Sequence, residues 1–184
     1  MNWNKHSYLE GQHAFLGPSK HAWLHYDAEK LTEAYRRFMA TQKGTELHQF
    51  ASNAIELGIR LPKTKATLNM YVNDAIGYHM RPEQPLYFSW NCFGTADAIC
   101  FRDNKLRIHD LKTGRNATSF AQLELYAAIF CHEYKHDPAS IEIELRIYQS
   151  DEVRVYIPEC TRISDIMKKV VDSDKVIDGL RKEV

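Results

Sequence analysis

Residues 94–126 read GTADAICFRDNKLRIHDLKTGRNATSFAQLELY. The stretch divides into strand, tight turn, strand, loop and helix. Gly94 to Phe101 is mostly small and apolar. Arg102-Asp103-Asn104-Lys105 has turn chemistry, because Asp and Asn tolerate turn conformations. Leu106 to Lys112 alternates, which places Leu106, Ile108, Asp110 and Lys112 on one strand face and Arg107, His109 and Leu111 on the other. A two-residue loop at Asp103-Asn104 sets Arg102 opposite Lys105 and, further along, Asp97 opposite Asp110. Directly opposed carboxylates destabilise a sheet, so this pairing points to a shared proton or a bound cation. Lys112, on the face of Asp110, offsets part of the charge. Two carboxylates and a lysine make an oxygen-rich site for a hard divalent ion, with the lysine placed to hold or polarise a water or phosphate. Asp-x-Lys alone is a common tripeptide, with the bland reading that Asp97 is solvated and Asp110 pairs with Lys112. Asp97 in register one strand earlier turns the pattern towards a site.

Outward from this core, Thr113 to Asn116 is a loop in which Arg115 is a candidate phosphate contact. A helix is expected from Ser119 to about Tyr134. Gln122 and Tyr126 share a face of it, yet Ser119-x-x-Gln122 is also a capping-box pattern, and both readings stand. Upstream, Ala28–Met39 and Gly44–Leu57 read as two helices, the first capped by Asp27 and the second closed by Gly58. His48 lies at the edge of the second helix's apolar stripe, as a hydrogen-bonded core residue or as a ligand. Arg60, Lys63 and Lys65 crowd a loop that either approaches a phosphate backbone or is ordinary polar chain. Thr67–Met80 is a helix by spacing, Arg81–Pro85 a break, and Leu86–Phe93 a strand. Ile141–Tyr148 and Glu152–Ile157 form a second strand pair, with Glu142 and Glu144 facing outward. Ser164–Leu180 is a terminal helix.

Four of these elements resemble the PD-(D/E)xK nucleases, and within them the RecB-like branch. They are Gly44-Thr45-Glu46-Leu47-His48, Gly94-Thr95-Ala96-Asp97, Asp110-Leu111-Lys112 and Gln122-Leu123-Glu124-Leu125-Tyr126, in the family's order. Gly17-Pro18-Ser19-Lys20 is a weaker match near the start. The resemblance implies a restriction-endonuclease-like α/β fold, a mixed β-sheet flanked by helices. It implies Asp97, Asp110 and Lys112 as catalytic residues. Magnesium or manganese would be held by His48, Asp97, Asp110 and the Leu111 carbonyl, with the imidazole favouring manganese. Gln122 and Tyr126 would line the nucleic-acid side. The implied activity is hydrolysis of DNA phosphodiesters, foremost by an exonuclease of phage or mobile-element recombination, repair or processing. The alternatives are an endonuclease or nickase, or a module that binds nucleic acid or protein without cutting.

Composition bounds this picture. The 184 residues, 44% hydrophobic and 26% charged, suit one domain with its own core. A formal net charge of zero excludes a large basic field, so contact with DNA must come from a local patch. The four cysteines, Cys92, Cys100, Cys131 and Cys160, show no metal-binding spacing. They lack the grouping with which some RecB-like nucleases hold an iron–sulfur cluster, so no cluster is expected. The polar N-terminus predicts no signal peptide, and the longest apolar run, Tyr126–Cys131, is too short for a membrane span. The expectation is a protein of the bacterial or phage-infected host cytoplasm, with DNA, a recombination protein or further copies of itself as partners and no membrane.

Overall fold

The computed structural model describes residues 5–7, 14–114 and 116–181. Arg115 and most of the stretch before Gly17 lie outside them. The chain divides into two compact units, one ending at Thr45 and the other beginning at Glu46.

A 3-10 helical segment, Pro18–His25, lies in the first unit, and helix α1, Ala28–Glu56, begins there and ends in the second. Asp27 caps α1 as its sequence suggests, accepting the Lys30 N–H at 2.8 Å. The two helices expected here are one. The hydroxyls of Thr41 and Thr45 turn back onto the carbonyls of Arg37 and Thr41 at 3.1 and 3.2 Å, so their polar groups are satisfied without breaking the helix. Gly44 costs only about 1 kcal/mol there. Gly58, with φ +65°, ends the run in the left-handed conformation that suits glycine.

The second unit is a five-stranded mixed sheet in the order β1-β2-β3-β4-β5. The strands are β1 (Arg81–Ser89), β2 (Cys92–Arg102), β3 (Lys105–Lys112), β4 (Glu142–Gln149) and β5 (Glu152–Tyr156). Helix α2 (Thr67–Gly77) precedes them, α3 (Ala121–Glu133) connects β3 to β4, and α4 (Cys160–Arg181) follows. All neighbours are antiparallel except β3 and β4, which are parallel, because α3 carries the chain back across the sheet between them. This is the expected α/β class, a mixed sheet flanked by helices.

The hairpin turn is the one the sequence demands. Asp103 and Asn104 both have positive φ, 52° and 58°, as a two-residue turn matched to strand twist requires. The predicted register is realised from Arg102–Lys105 to Ala98–His109. β1 starts five residues earlier than expected. Pro82 and Pro85 were signals of a break, but β1 is an edge strand, where a missing N–H is tolerated.

Apolar side chains bury both faces of the sheet. Leu106, Ile108, Leu145 and Ile147 pack with Leu123 and Ala127 of α3 and Ile163 of α4. Ala98, Leu111 and Tyr148 pack on the other face with Ala51, Ala54 and Ile55 of α1 and Tyr71, Val72 and Ala75 of α2. Each fully buried Leu or Ile contributes about 1.5–3 kcal/mol, so the two faces together fix the carboxyl end of β3 between rigid layers. Glu142 is exposed as expected, but Glu144 is buried and pairs with Lys105, Arg107 and Arg146. Burial of that carboxylate is tolerated because three cations surround it.

Candidate active site

The strand ladder between β2 and β3 stops at Ala98–His109. One residue further, the Asp97 side chain takes over: its Oδ2 accepts the Leu111 N–H at 2.9 Å. Asp97 and Asp110 are therefore not a simple opposed ladder pair, as the register extended by rule implies. Ala96 packs on the α3 face while Ala98, two residues on, packs on the α2 face. The alternation slips at Asp97, and the slip turns its carboxylate towards β3 and α1.

Around it the other candidates assemble from separate elements. His48, on α1, brings Nδ1 to 3.4 Å from Asp97 Oδ2. Lys112 Nζ lies 2.9 Å and 3.0 Å from the two Asp110 oxygens and donates to Gln122 Oε1 at 3.0 Å. Gln122 Nε2 in turn donates to Tyr126 Oη at 3.3 Å. The capping-box reading of Gln122 is excluded: α3 starts at Ala121 with no side-chain cap, and the Gln122 side chain is spent on Lys112 and Tyr126. Arg115 lies outside the described residues.

Gly94 has a physical reason to be glycine. A Cβ built there stands 3.0 Å from Tyr126 Cε1 and 3.3 Å from its hydroxyl. The glycine of G-x-x-D thus packs closely against the tyrosine of Q-x-x-x-Y.

Burial and neighbouring charges set the electrostatics of the two carboxylates. Burial raises the Asp97 carboxyl above its ordinary range, against the pull of His48, the Leu111 N–H and Lys112. Burial first, and then the charge of Asp97, raise Asp110, while Lys112 pulls it down. Asp110 Oδ2 is buried and accepts no directed hydrogen bond.

Glu83 is a residue that sequence reasoning missed. His48, Glu83 and Asp97 each place a ligand atom within 4.8 Å of the others. Glu83 sits in β1 between Pro82–Ala98 and Gln84–Ala96, at the position facing Asp97, with φ +46°. A glutamate in the left-handed region within a strand is strained. The signal in the sequence was an acid flanked by prolines one strand before Asp97, masked because the prolines read as a break.

Behind β3 lies a second polar group. His109 is fully buried, and burial, then Arg146 and Arg107, hold its imidazole down at about 3. Tyr148 Oη donates to Asp74 Oδ2 at 2.7 Å and lies 3.3 Å from His109 Nδ1.

The family model of DUF2800, a protein of unknown function, matches residues 78–174. The chain belongs to the DUF2800 family. The matched span runs from the residue before His79 through all five strands and α3, and so holds Glu83, Asp97, Asp110, Lys112, Gln122 and Tyr126; His48 precedes it. No curated protein matches the chain.

Among the described residues no helix is long and apolar enough to cross a membrane.

Proposed function

We propose that this chain is a metal-dependent DNA nuclease. The observation that carries the reading is convergence: His48 of α1 meets Asp97 of β2, Lys112 of β3 pairs with Asp110 and meets Gln122 of α3, and the Leu111 N–H, between Asp110 and Lys112, binds Asp97 and joins the two groups. Their donors fit a hard divalent cation. Oxygens predominate, one imidazole is present, and the buried Asp110 Oδ2 has an acceptor position left over. Magnesium or manganese would be held by Asp97 and Asp110 with His48, Glu83 and the Leu111 carbonyl, and would lower the pKa of a water and neutralise charge on the scissile phosphate.

The chain's own residues do the positioning. The Leu111 N–H holds Asp97 in its rotamer. Lys112 is fixed from two sides, by Asp110 and by Gln122, and its remaining proton is available to a phosphate oxygen or to the attacking water. Preorganised charge of this kind stabilises the transition state because it needs no reorganisation during the reaction. Tyr126 and Gln122 form the wall beside the lysine. Water attacks phosphorus, the bond to the leaving oxygen breaks, and 5′-phosphate and 3′-hydroxyl ends result, as in the nucleases the motifs resemble.

An exonuclease acting on phage or mobile-element DNA in the bacterial or infected-cell cytoplasm is the form proposed. The test offers purified protein an end-labelled linear duplex, a closed circular plasmid and a single-stranded oligonucleotide, each with manganese, magnesium or chelator. Metal-dependent loss of linear DNA from its ends with the circle spared is the expected result. A nicked or linearised circle moves the assignment to an endonuclease. No metal-dependent loss of any substrate, in protein that binds manganese, sinks the nuclease reading in favour of a binding module.

A further inference from the structure

Between α1 and α2, residues 57–66 carry Arg60, Lys63 and Lys65, all exposed. Among the described residues none of the three has an ion-pair partner. Three uncompensated cations in six residues stand out in a chain whose net charge is zero.

The loop that carries them is held rather than loose. Asn73 clamps both backbone groups of Leu61, accepting its N–H at 2.9 Å and donating to its carbonyl at 2.9 Å. Asn69 donates to the Pro62 carbonyl at 3.0 Å and to Thr64 Oγ1 at 2.9 Å. The Thr64 N–H returns to the Pro62 carbonyl, and Thr64 Oγ1 accepts the Ala66 N–H. Arg60, Lys63, Thr64 and Lys65 line a concavity of about 490 Å³ with Asn73 and Asp74. Asp74, the carboxylate in that wall, is engaged by Arg146 and Tyr148.

The loop also has a fixed place. It ends at Thr67, whose N–H and hydroxyl both bond Asp151. Asp151 is in the turn just after Gln149, the β4 partner of Lys112. The C-terminal end of the loop, two residues after Lys65, is therefore tied to the end of the sheet that carries Lys112.

We propose that this loop grips the phosphate backbone of the nucleic acid whose strand enters the site. The proposal deepens the nuclease reading and rests on it. An acidic site repels a polyanion, so a cationic anchor nearby is what holds the substrate in register. A preformed loop loses little entropy on binding. Spaced cations with no acid among them suit a repeating anion better than a single small one.

The experiment compares the wild type with Arg60→Gln/Lys63→Gln/Lys65→Gln, and with Lys168→Gln/Lys169→Gln/Lys175→Gln on α4 as a control. Binding to a labelled duplex is followed by fluorescence anisotropy in chelator from about 50 to about 200 mM salt, and plasmid and linear-duplex cleavage with manganese is run beside it. Each lost phosphate contact removes about 0.9 from the slope of log affinity against log salt. The loop variant is expected to lose about 2–3 units of slope with an unchanged melting temperature, and the α4 control none. An unchanged slope in the loop variant, an equal fall in the control, or binding of anionic vesicles but not DNA through these residues overturns the loop assignment. If the wild type cleaves while the loop variant keeps its slope, that assignment alone is lost. If the wild type binds through the loop but cuts nothing with manganese, the loop stands and the nuclease reading falls.

Discussion

Glu83 and Asp97 face each other across β1 and β2 between the paired positions Pro82–Ala98 and Gln84–Ala96. Glu83 reaches this place with φ +46°, a conformation that costs a non-glycine residue about 1–2 kcal/mol. Its charge also helps to raise Asp97, after burial as the main cause. Replacing the glutamate with glycine relieves both the strain and the repulsion, and the proposed cation site would account for both. Glu83→Gly is expected to melt no lower than the wild type in chelator, because glycine accepts positive φ. Glu83→Gln is expected to raise the manganese concentration giving half-maximal cleavage by at least roughly tenfold, the loss that even an outer-shell partner produces. Thermal melts and a metal titration check the two halves. A clear loss of stability in Glu83→Gly would mark the residue as structural.

Asp97→Ala is expected to abolish metal-dependent cleavage while keeping the fold. Lys112→Met is expected to lower the rate by about 10²–10³-fold, the usual effect of deleting one preorganised charge donor. Turnover with saturating manganese, with circular dichroism as the folding control, tests both. Cleavage by Asp97→Ala at the wild-type rate with manganese would remove the metal assignment.

A methyl added at Gly94 would stand 3.0 Å from Tyr126 Cε1, so the ring would have to give way by a few tenths of an ångström. Gly94→Ala is expected to displace the Tyr126 ring, and with it Gln122 and Lys112, at a stability cost of about 1–3 kcal/mol. Tyr126→Leu should be milder by itself and should restore much of the stability when combined with Gly94→Ala. A double-mutant cycle on unfolding free energy reads the coupling directly. Additive costs would show that the two residues do not compete.

His109 makes stability depend on pH in a defined direction. Its folded pKa is depressed to about 3 by burial, and then by Arg146 and Arg107, whereas the unfolded side chain titrates near about 6.5. Between those values the unfolded chain takes up a proton that the folded chain refuses, so stability rises with pH there. Lowering the pH from about 7 to about 5 should cost about 2 kcal/mol through this residue. Urea unfolding of the wild type and His109→Gln at both pH values is the measurement, and the variant should lose about that much less. Asp97 and Asp110 titrate in both proteins and cancel in the difference. Equal losses in the two would show that His109 is not held neutral.

Much of this was readable in advance because it depends on neighbours in sequence. Asp103-Asn104 fixes the turn, and the turn fixes the register as far as Ala98–His109. Asp27 announces a cap by its own side chain. The readings that failed needed information from elsewhere in the chain. Pro82 and Pro85 break a central strand but not an edge strand, and nothing local says that β1 is an edge. Ser119-x-x-Gln122 is a sound capping pattern until Lys112 offers Gln122 a partner. Glu144 reads as an outward acid until three cations arrive from β3 and β4.

By itself the sequence determined the hairpin and the alternation of β3, because turn preference and strand period are local properties of the chain. Only the tertiary structure decided that the ladder ends where the Asp97 carboxylate takes the Leu111 N–H, that Glu83 joins His48 and Asp97, and that Gly94 yields its space to Tyr126. Each of those joins strands and helices distant in sequence. Their geometry follows from how two buried faces pack on one sheet, which no short stretch of residues encodes.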